Sequence, residues 1–119
     1  MSDDRSTSVG TPTRRPLAPS TVAVLCHDAR DSQAARKAAS PAHLRWVESM
    51  LDHIALAGPL YSDDGERMIG SLYVFKTGSL AEARAWLESD PYYAAGFWAE
   101  IRFRPFLPAA GELLGGTVW

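Results

Sequence analysis

Residues Ser40–His53, which read SPAHLRWVESMLDH, are the stretch around which the rest of the chain is organised. Ser40 is a residue type that caps helices, and Pro41 suits the first helical position because its missing N–H needs no partner there. We therefore predict a helix that begins at Ser40 and ends near His53. Four apolar residues follow the helical spacing and are expected to form one stripe that faces a core: Leu44, Val47, Leu51 and Ile54.

His43 borders this stripe and lies in the first turn of the predicted helix. The positive end of the helix dipole favours a neutral ring at that point, which leaves one ring nitrogen free to accept a proton. Two interpretations stay open from the residues alone. His43 is either a hydrogen-bonded residue at the edge of the core or a general base.

Length and composition predict one soluble, globular domain. A chain of 119 residues is long enough for one hydrophobic core and too short for two. Its formal net charge of −2, without a basic cluster, argues against nucleic acid or an anionic membrane as a partner. No segment approaches the ~20 apolar residues that cross a bilayer. Cys26 is the single cysteine, so neither an internal disulfide nor a cysteine zinc site is available, and we expect a cytoplasmic protein.

Three segments of the chain differ in composition. Residues 1–20 carry few large apolar side chains and are predicted to be a flexible leader, because they cannot offset the entropy of ordering. Residues 21–107 are predicted to be the folded domain. Residues 108–119 carry Glu112 as their one charged side chain, so this tail is predicted to pack on the domain or on a partner.

Runs of β-branched and apolar residues predict four strands, at Thr21–His27, Ile54–Tyr61, Ile69–Lys76 and Trp98–Phe106. A loop or a short helix is predicted between the first strand and Ser40. The second strand is expected to bend or bulge at Gly58-Pro59, because proline cannot donate to a ladder. An Asp-Gly turn is predicted at Ser62–Glu66.

A second helix is predicted at Leu80–Glu88, where Ser79 and Glu82 form a capping-box pattern. Asp90-Pro91 then opens a single helical turn over Tyr92–Gly96 that the glycine ends. The order strand, helix, strand, strand, helix, strand predicts an α+β fold, the ferredoxin-like βαββαβ arrangement with both helices on one face of an antiparallel sheet. The second helix is expected to bury Leu80, Ala83 and Leu87.

The sheet face away from the helices is also predicted to be apolar. Leu72 and Val74 alternate with Tyr73 and Phe75 along one strand, so both faces of that strand carry large apolar side chains. A soluble monomer seldom exposes so large an apolar patch. We therefore predict a homodimer packed sheet to sheet.

Two arginines of the last strand are expected on this second face. Arg102 and Arg104 share one parity, opposite Ile101 and Phe103. They can bind an acidic ligand there or pair with a carboxylate such as Glu100, and a salt bridge at the rim is the favoured interpretation.

Five short motifs occur in the order seen in one known family. They are Pro41-Ala42-His43-Leu44, Leu56-Ala57-Gly58-Pro59-Leu60, Gly70-Ser71, Asp90-Pro91-Tyr92 with Ala95-Gly96, and Arg104-Pro105-Phe106. On these motifs, residues 21–107 resemble the YCII-related (YciI-like) proteins. The resemblance implies a ferredoxin-like protomer of a dimeric α+β barrel, with a histidine–aspartate pair in a pocket on each protomer. By motif position, that pair is His43 and Asp90.

One position departs from the family pattern. Related sequences often have arginine immediately before the Pro-Ala-His segment, where this chain has Ser40, and Arg36 is the candidate to replace that arginine in ligand binding. The family also includes a dehydrochlorinase that acts on a chlorinated hydroxyhydroquinone, so the resemblance implies the fold more narrowly than the reaction. The substrate-binding candidates are Arg36, Gly58, Pro59, Ser71 and Tyr92.

A carboxylate beside an imidazole orients the ring and stabilises its protonated form, so Asp90 can make His43 a usable general base. Asp90 can equally cap the turn that follows it, and one aspartate can do both. Cys26 lies in an apolar strand without a neighbouring cation, so we expect a buried, inert thiol. The histidines lack metal-ligand spacing and no glycine pattern matches a phosphate-binding loop, so we expect no metal and no cofactor.

Three functional hypotheses follow. The first is a small cofactor-independent enzyme in which His43, oriented by Asp90, moves a proton on a small cyclic or carbonyl-bearing substrate. Its reaction is of the isomerase or lyase type, which includes dehydrochlorination. The second is a non-catalytic dimeric module that binds a small molecule or a partner protein. The third is a cofactor-free monooxygenase that consumes oxygen with a phenolic substrate.

Overall fold

The computed structural model describes residues 18–112 and 115–117. Most of the predicted leader, residues 1–17, lies outside the described residues, and so do residues 113–114 and 118–119 of the predicted tail. The described part of the tail contains a short hairpin of Ala110–Gly111 paired with Gly116–Thr117.

The folded domain contains the four strands and the two longer helices that the sequence predicts. In chain order its elements are β1 (Thr21–Asp28), α1 (Gln33–Ser49), a 3₁₀ turn (Leu51–His53), β2 (Ile54–Tyr61), β3 (Met68–Phe75), α2 (Leu80–Glu88), α3 (Pro91–Ala95) and β4 (Trp98–Phe106). The sheet is antiparallel with the order β2-β3-β1-β4. This is the ferredoxin-like βαββαβ fold, and the predicted α+β class is confirmed.

The core lies between this sheet and the helices, because alternate residues of each strand point to the same side. Val24 of β1 pairs with Tyr73 of β3 and with Phe103 of β4, so these three side chains share the helix-facing side. The fully or almost fully buried members of the core are Val22, Val24, Cys26, Tyr73, Phe75, Ala83 and Leu87. No helix among the described residues is long and apolar enough to cross a membrane.

The start of α1 differs from the prediction. The helix begins at Gln33 rather than Ser40, and Pro41 lies inside it. Residues 33–39 are rich in alanine together with glutamine, arginine and lysine, and these residue types have high intrinsic helix propensity. Pro41 forgoes one intrahelical hydrogen bond without ending the helix. The Ser40-Pro41 pair therefore resembles a helix start but lies inside α1, about two turns after its first residue.

The buried face of α1 also differs from the predicted apolar stripe. Leu44 is 56% exposed and Leu51 is 62% exposed, and Leu80 of α2 is 47% exposed, so these three predictions of burial are wrong. The side of α1 that faces the domain carries Arg36, which is buried, His43, whose side chain is 13% exposed, and Trp46, which packs against the core. Two polar residues and one aromatic residue therefore form this face, and hydrophobic periodicity alone misplaced it.

Strand β2 passes Gly58 and Pro59 without the predicted bulge. These residues pair regularly with Leu72 and Ser71 of β3, and the ladder shifts at Ile54/Leu56 and at Leu60/Tyr61 instead. Proline is tolerated because β2 lies at the edge of the sheet, where an N–H is not needed on the outer side.

The predicted caps around α2 and α3 are present. The Ser79 hydroxyl accepts a hydrogen bond from the backbone N–H of Glu82 at 3.1 Å. The carboxylate of Glu82 accepts from the Thr77 hydroxyl at 2.6 Å, so the reciprocal half of the capping box is replaced by a side-chain contact. Gly96 ends α3 with φ +72°, a left-handed conformation that glycine adopts without strain.

The second face of the sheet carries the predicted arginine pair. Ile101 and Phe103 pack against the core, so Arg102 and Arg104 point to the opposite side. Arg102 forms an ion pair with Glu100 at 2.6 Å, and both side chains are about half exposed. An exposed pair of this kind contributes little stability, in agreement with the favoured rim salt bridge.

Candidate active site

His43 and Asp90, the two residues proposed as a pair, lie in direct contact. The Nδ1 atom of His43 is 2.9 Å from Oδ1 and 3.0 Å from Oδ2 of Asp90. His43 lies in the third turn of α1, so the predicted effect of the helix dipole is wrong. Asp90 is fully buried at the start of α3, where Oδ1 also accepts from the backbone N–H of Tyr92 at 2.9 Å. Asp90 therefore caps the turn and contacts the imidazole as well.

Tyr73 is a further partner of the carboxylate. Its hydroxyl donates to Oδ2 of Asp90 at 2.6 Å from the adjacent strand β3. Burial raises the pKa of Tyr73 far above its ordinary value, and the charge of Asp90 and this hydrogen bond act in the same direction. Tyr73 consequently remains a protonated donor. Tyr73 was not among the predicted site residues, although its position two residues after Ser71 on one strand indicates that both side chains face the same side.

The contacts of Asp90 decide which nitrogen of His43 carries a proton. The Tyr92 backbone N–H and the protonated Tyr73 hydroxyl are donors, so the Asp90 oxygens act as acceptors. The third contact then requires a proton on Nδ1 of His43. Nε2 has no hydrogen-bond partner within residues 18–112 and 115–117, and the His43 side chain is 13% exposed. The arrangement leaves Nε2 as a base with an available lone pair.

Aromatic packing fixes the plane of the His43 ring. The ring stacks on Tyr92 with centroids 3.7 Å apart and planes 5° apart. Trp46, one turn further along α1, lies with its ring centroid 6.2 Å from that of His43 and with the two ring planes 24° apart. Tyr92 is buried, so the imidazole is fixed by stacking on a packed side chain as well as by its contact with Asp90. A ring held in this way can accept a proton without reorienting.

Arg36 is buried beside the pair and binds Asp28, a partner that the sequence analysis did not identify. Its Nε and Nη2 atoms each donate to one oxygen of the Asp28 carboxylate at 2.9 Å. Nη2 also contacts the Gly70 carbonyl at 3.0 Å and the Ser71 hydroxyl at 3.1 Å. Burial lowers the pKa of Arg36, but its hydrogen bond and charge interaction with Asp28 prevail and raise the pKa overall.

Gly70 is required where β3 approaches β1. A Cβ atom at this position would overlap the backbone carbonyl oxygen of Cys26, so a larger residue would separate the two strands. The close approach places the Gly70 carbonyl and the adjacent Ser71 beside the Arg36 guanidinium.

A cavity of about 340 Å³ lies between α1 and the strands β2 and β3. All five predicted substrate-binding residues line it, together with His43. Asp90 does not line the cavity itself, and His43, which does, contacts its carboxylate. The complete set of lining residues is Arg36, Ser40, His43, Leu44, Val47, Ala57, Gly58, Pro59, Met68, Ser71, Tyr73 and Tyr92.

Comparison with known proteins identifies the family of this chain. The family profile described as "YCII-related domain" matches residues 21–107. The chain belongs to the YCII-related family. It is 31% identical over 90 residues to Protein YciI of Escherichia coli, covering 70% of this chain and 92% of that protein. Protein YciI of Shigella flexneri matches with the same values.

One solved structure extends the comparison of this YCII-related chain. It is 5-chloro-2-hydroxyhydroquinone dehydrochlorinase (TftG) from Burkholderia phenoliruptrix, in complex with 2,5-dihydroxybenzoquinone. The TM-score is 0.67 at 24% sequence identity, and the match covers 77% of this chain and 96% of that one. This likeness shows the shared fold.

Metal ligation finds no support in the described part of this YCII-related chain. Residues 18–112 and 115–117 contain no group of three or more His, Cys, Asp or Glu side chains placed to hold a metal ion. His27 and His53 do not line the cavity, so His43 is the histidine that faces it.

The Cys26 thiol is expected to be unreactive in the native protein. Burial and the charges of Asp90 and Asp28 together raise its pKa to about 12, while Arg36 acts in the opposite direction. At mildly alkaline pH a thiol-reactive aromatic disulfide should therefore label the native protein very slowly and the guanidinium-unfolded protein rapidly. Rapid labelling of the native protein would contradict this prediction, and Cys26→Ser provides the unlabelled control.

Proposed function

We propose that this protein is a small cofactor-independent enzyme in which His43 transfers a proton on a small cyclic or carbonyl-bearing substrate. The observation that carries the proposal is the contact between Nδ1 of His43 and the buried carboxylate of Asp90, which leaves Nε2 available at the cavity. The reaction is of the isomerase or lyase type, with dehydrochlorination as one case.

The proposed first step breaks a C–H or O–H bond of the substrate. The proton moves to Nε2 of His43, and the electron pair of the broken bond stays on the substrate. The imidazolium that forms is stabilised by Asp90, so the positive charge arises next to a negative partner already in place. The stacked ring of Tyr92 holds the imidazole in one plane during this transfer.

The second step decides between the two reaction types. In an isomerisation, His43 returns the proton to a different atom of the substrate. In an elimination, the electron pair forms a new double bond and expels a leaving group such as chloride, and His43 later releases its proton to water. Both sequences balance in atoms and charge without an oxidant or a reductant.

The size and lining of the cavity support a small substrate. About 340 Å³ is near the lower end of the volumes typical of small-molecule sites. Leu44, Val47 and Met68 contribute apolar surface opposite the polar groups of Arg36 and Ser71. The bound quinone of the structural neighbour is also small and cyclic, which supports the same class of ligand for this chain.

We further propose that the chain forms a homodimer packed sheet to sheet, in the cytoplasm. Leu56 of β2 is 50% exposed in the single chain and pairs with Val74 of β3, whose side chain points to the sheet face away from the helices. Membership of the YCII-related family supports this proposal, because the family resemblance implies a dimeric α+β barrel. Sedimentation of the full chain tests the assembly, because a monomer mass at micromolar concentration would contradict it.

Turnover without a cofactor is the direct test of the proposed function. The full chain should be incubated under argon with 5-chloro-2-hydroxyhydroquinone, and in deuterium oxide with a panel of cyclic ketones and diones. We expect chloride release or deuterium incorporation above the buffer rate, measured by an ion-selective electrode and by NMR. Binding without either change would favour a non-catalytic module, and turnover that requires oxygen would favour a monooxygenase.

A further inference from the structure

We propose that Arg36 and Ser71 form a pair of hydrogen-bond donors for one substrate oxygen, on which negative charge develops while His43 takes the proton. This inference rests on the proposed function and specifies the chemistry of its substrate. The substrate would carry a neutral carbonyl or phenolic oxygen at one end and the acidic C–H or O–H group at the other.

The donors of Arg36 are unequally used. Nε and Nη2 contact Asp28, Gly70 and Ser71 at 2.9–3.1 Å. Nη1 contacts the sulfur of Met68, a weak acceptor, at 4.0 Å. The guanidinium also lies over the rings of Tyr92 and Phe97, with its carbon 5.0 and 5.2 Å from their centroids. Arg36 is 5% exposed and lines the cavity, so Nη1 is a buried donor without a strong acceptor among the described residues.

The Ser71 hydroxyl also has a proton to donate. Its oxygen accepts from Nη2 of Arg36, so its own O–H remains free to point elsewhere, and no acceptor for it occurs in the part of the chain that the structure describes. Ser71 is 4% exposed and lines the same cavity. A buried donor that lacks an acceptor destabilises the empty site, and a ligand oxygen between the two groups would satisfy both.

The donor pair and the base are separated along both elements that carry them, helix α1 and strand β3. Arg36 and His43 are seven residues apart on α1, which places them on one face roughly 10 Å apart along the axis. Ser71 and Tyr73 are two residues apart on β3 and share the facing side, roughly 7 Å apart. Arg36 contacts Ser71, and His43 is linked to Tyr73 through Asp90. The space between the two polar groups is suited to a ring that carries an oxygen at one end.

Charge favours an oxygen that is neutral before the reaction. Asp28 already neutralises Arg36 within hydrogen-bond distance on two atoms, so a substrate carboxylate would add an uncompensated negative charge to a buried site. Proton transfer from a neutral substrate to His43 adds no net charge. The developing oxyanion and the imidazolium arise together, each beside its own partner.

A phenol that changes colour on ionisation can test the donor pair without any turnover. At alkaline pH, 4-nitrophenol is ionised in solution, and its binding to the full chain can be followed by absorbance and by titration calorimetry. We expect Ser71→Ala to weaken binding of the phenolate by roughly tenfold, the effect of losing one hydrogen bond to a charged acceptor. Arg36→Lys, which keeps the charge but loses the planar fork, should weaken it at least as much.

Two controls make this test specific. Ser40→Ala removes a hydroxyl that lines the same cavity and makes no hydrogen bond with the Arg36 side chain among the described residues, and it should change phenolate affinity far less than Ser71→Ala does. 4-Nitrotoluene lacks the phenolic oxygen, so Ser71→Ala should not change its affinity. Equal effects of the two serine substitutions on the affinity for the phenolate would overturn the donor pair.

The same data separate this inference from the proposed function. Phenolate binding that depends on Ser71, together with an absence of turnover, would support the donor pair and contradict the enzyme. Turnover that depends on His43, with phenolate binding indifferent to Ser71, would support the enzyme and contradict the donor pair. The Arg36→Lys result is used only if the circular dichroism spectrum of that variant shows that it is folded. If the variant is not folded, Ser71→Ala alone tests the donor pair.

Discussion

Substitution of His43 by alanine should lower kcat/KM by roughly 100- to 10,000-fold, the range usually lost with a general base. The substrate is whichever compound the wild-type protein turns over. The loss should appear in kcat, because Nε2 acts on the reacting bond rather than on substrate affinity.

The same substitution should change stability much less. Asp90 keeps two of its donors, the Tyr73 hydroxyl and the Tyr92 backbone N–H, so no buried carboxylate is left without partners. We expect a loss of about 1 kcal/mol, from one hydrogen bond and the stacking on Tyr92. Thermal unfolding and steady-state kinetics on the same preparation measure both quantities.

His53→Ala is the matched control for this prediction. His53 is exposed in the 3₁₀ turn after α1 and does not line the cavity, so its loss should leave kcat/KM close to the wild-type value. A His43→Ala protein that unfolds would instead show a structural role. Full activity in that variant would remove His43 from the mechanism.

Substitution of Asp90 by alanine should reduce both stability and activity. The side chain is fully buried and accepts hydrogen bonds from His43, Tyr73 and the backbone of Tyr92. Its removal leaves the Tyr73 hydroxyl without an acceptor and removes the cap of α3. Together these losses amount to about 3 kcal/mol or more. Chemical denaturation of the variant measures the loss.

Two comparisons distinguish the parts of this effect. Tyr73→Phe removes one donor but leaves Asp90 paired with His43, so the free energy of unfolding should fall by only about 1 kcal/mol. Asp63→Ala removes an aspartate from the exposed turn between β2 and β3 and should have a small effect. An Asp90→Ala protein as stable as Asp63→Ala would contradict the hydrogen-bond arrangement described for the site.

The order of elements could be predicted because the signals for it are local. Alternating apolar residues mark the four strands, Ser79 and Gly96 mark helix ends, and Gly65 in the turn has φ +74°. These features depend on neighbours within a few residues in the chain. The approach of His43 to Asp90 was different, because only the resemblance to a known family pointed to that pair.

The features that could not be predicted depend on contacts between distant residues. Arg36 and Asp28 are two charged residues on either side of a loop, and such residues are usually exposed. Their burial as an ion pair sets the rotation of α1, and this explains why Leu44 is exposed although its spacing indicates a core position. Hydrophobic periodicity reports that a helix has an apolar face but does not determine which face the sheet covers.

The position of the proton on the neutral His43 ring is the most direct test of Nε2 as the proton acceptor. Long-range ¹H–¹⁵N correlation spectra of the uniformly labelled protein, recorded where the imidazole is neutral, report which ring nitrogen carries the proton. The account predicts a proton on Nδ1 and a bare Nε2, and loss of this preference in Asp90→Asn. A neutral ring with its proton on Nε2 would contradict the account, because the atom that faces the cavity would then have no lone pair with which to accept a proton.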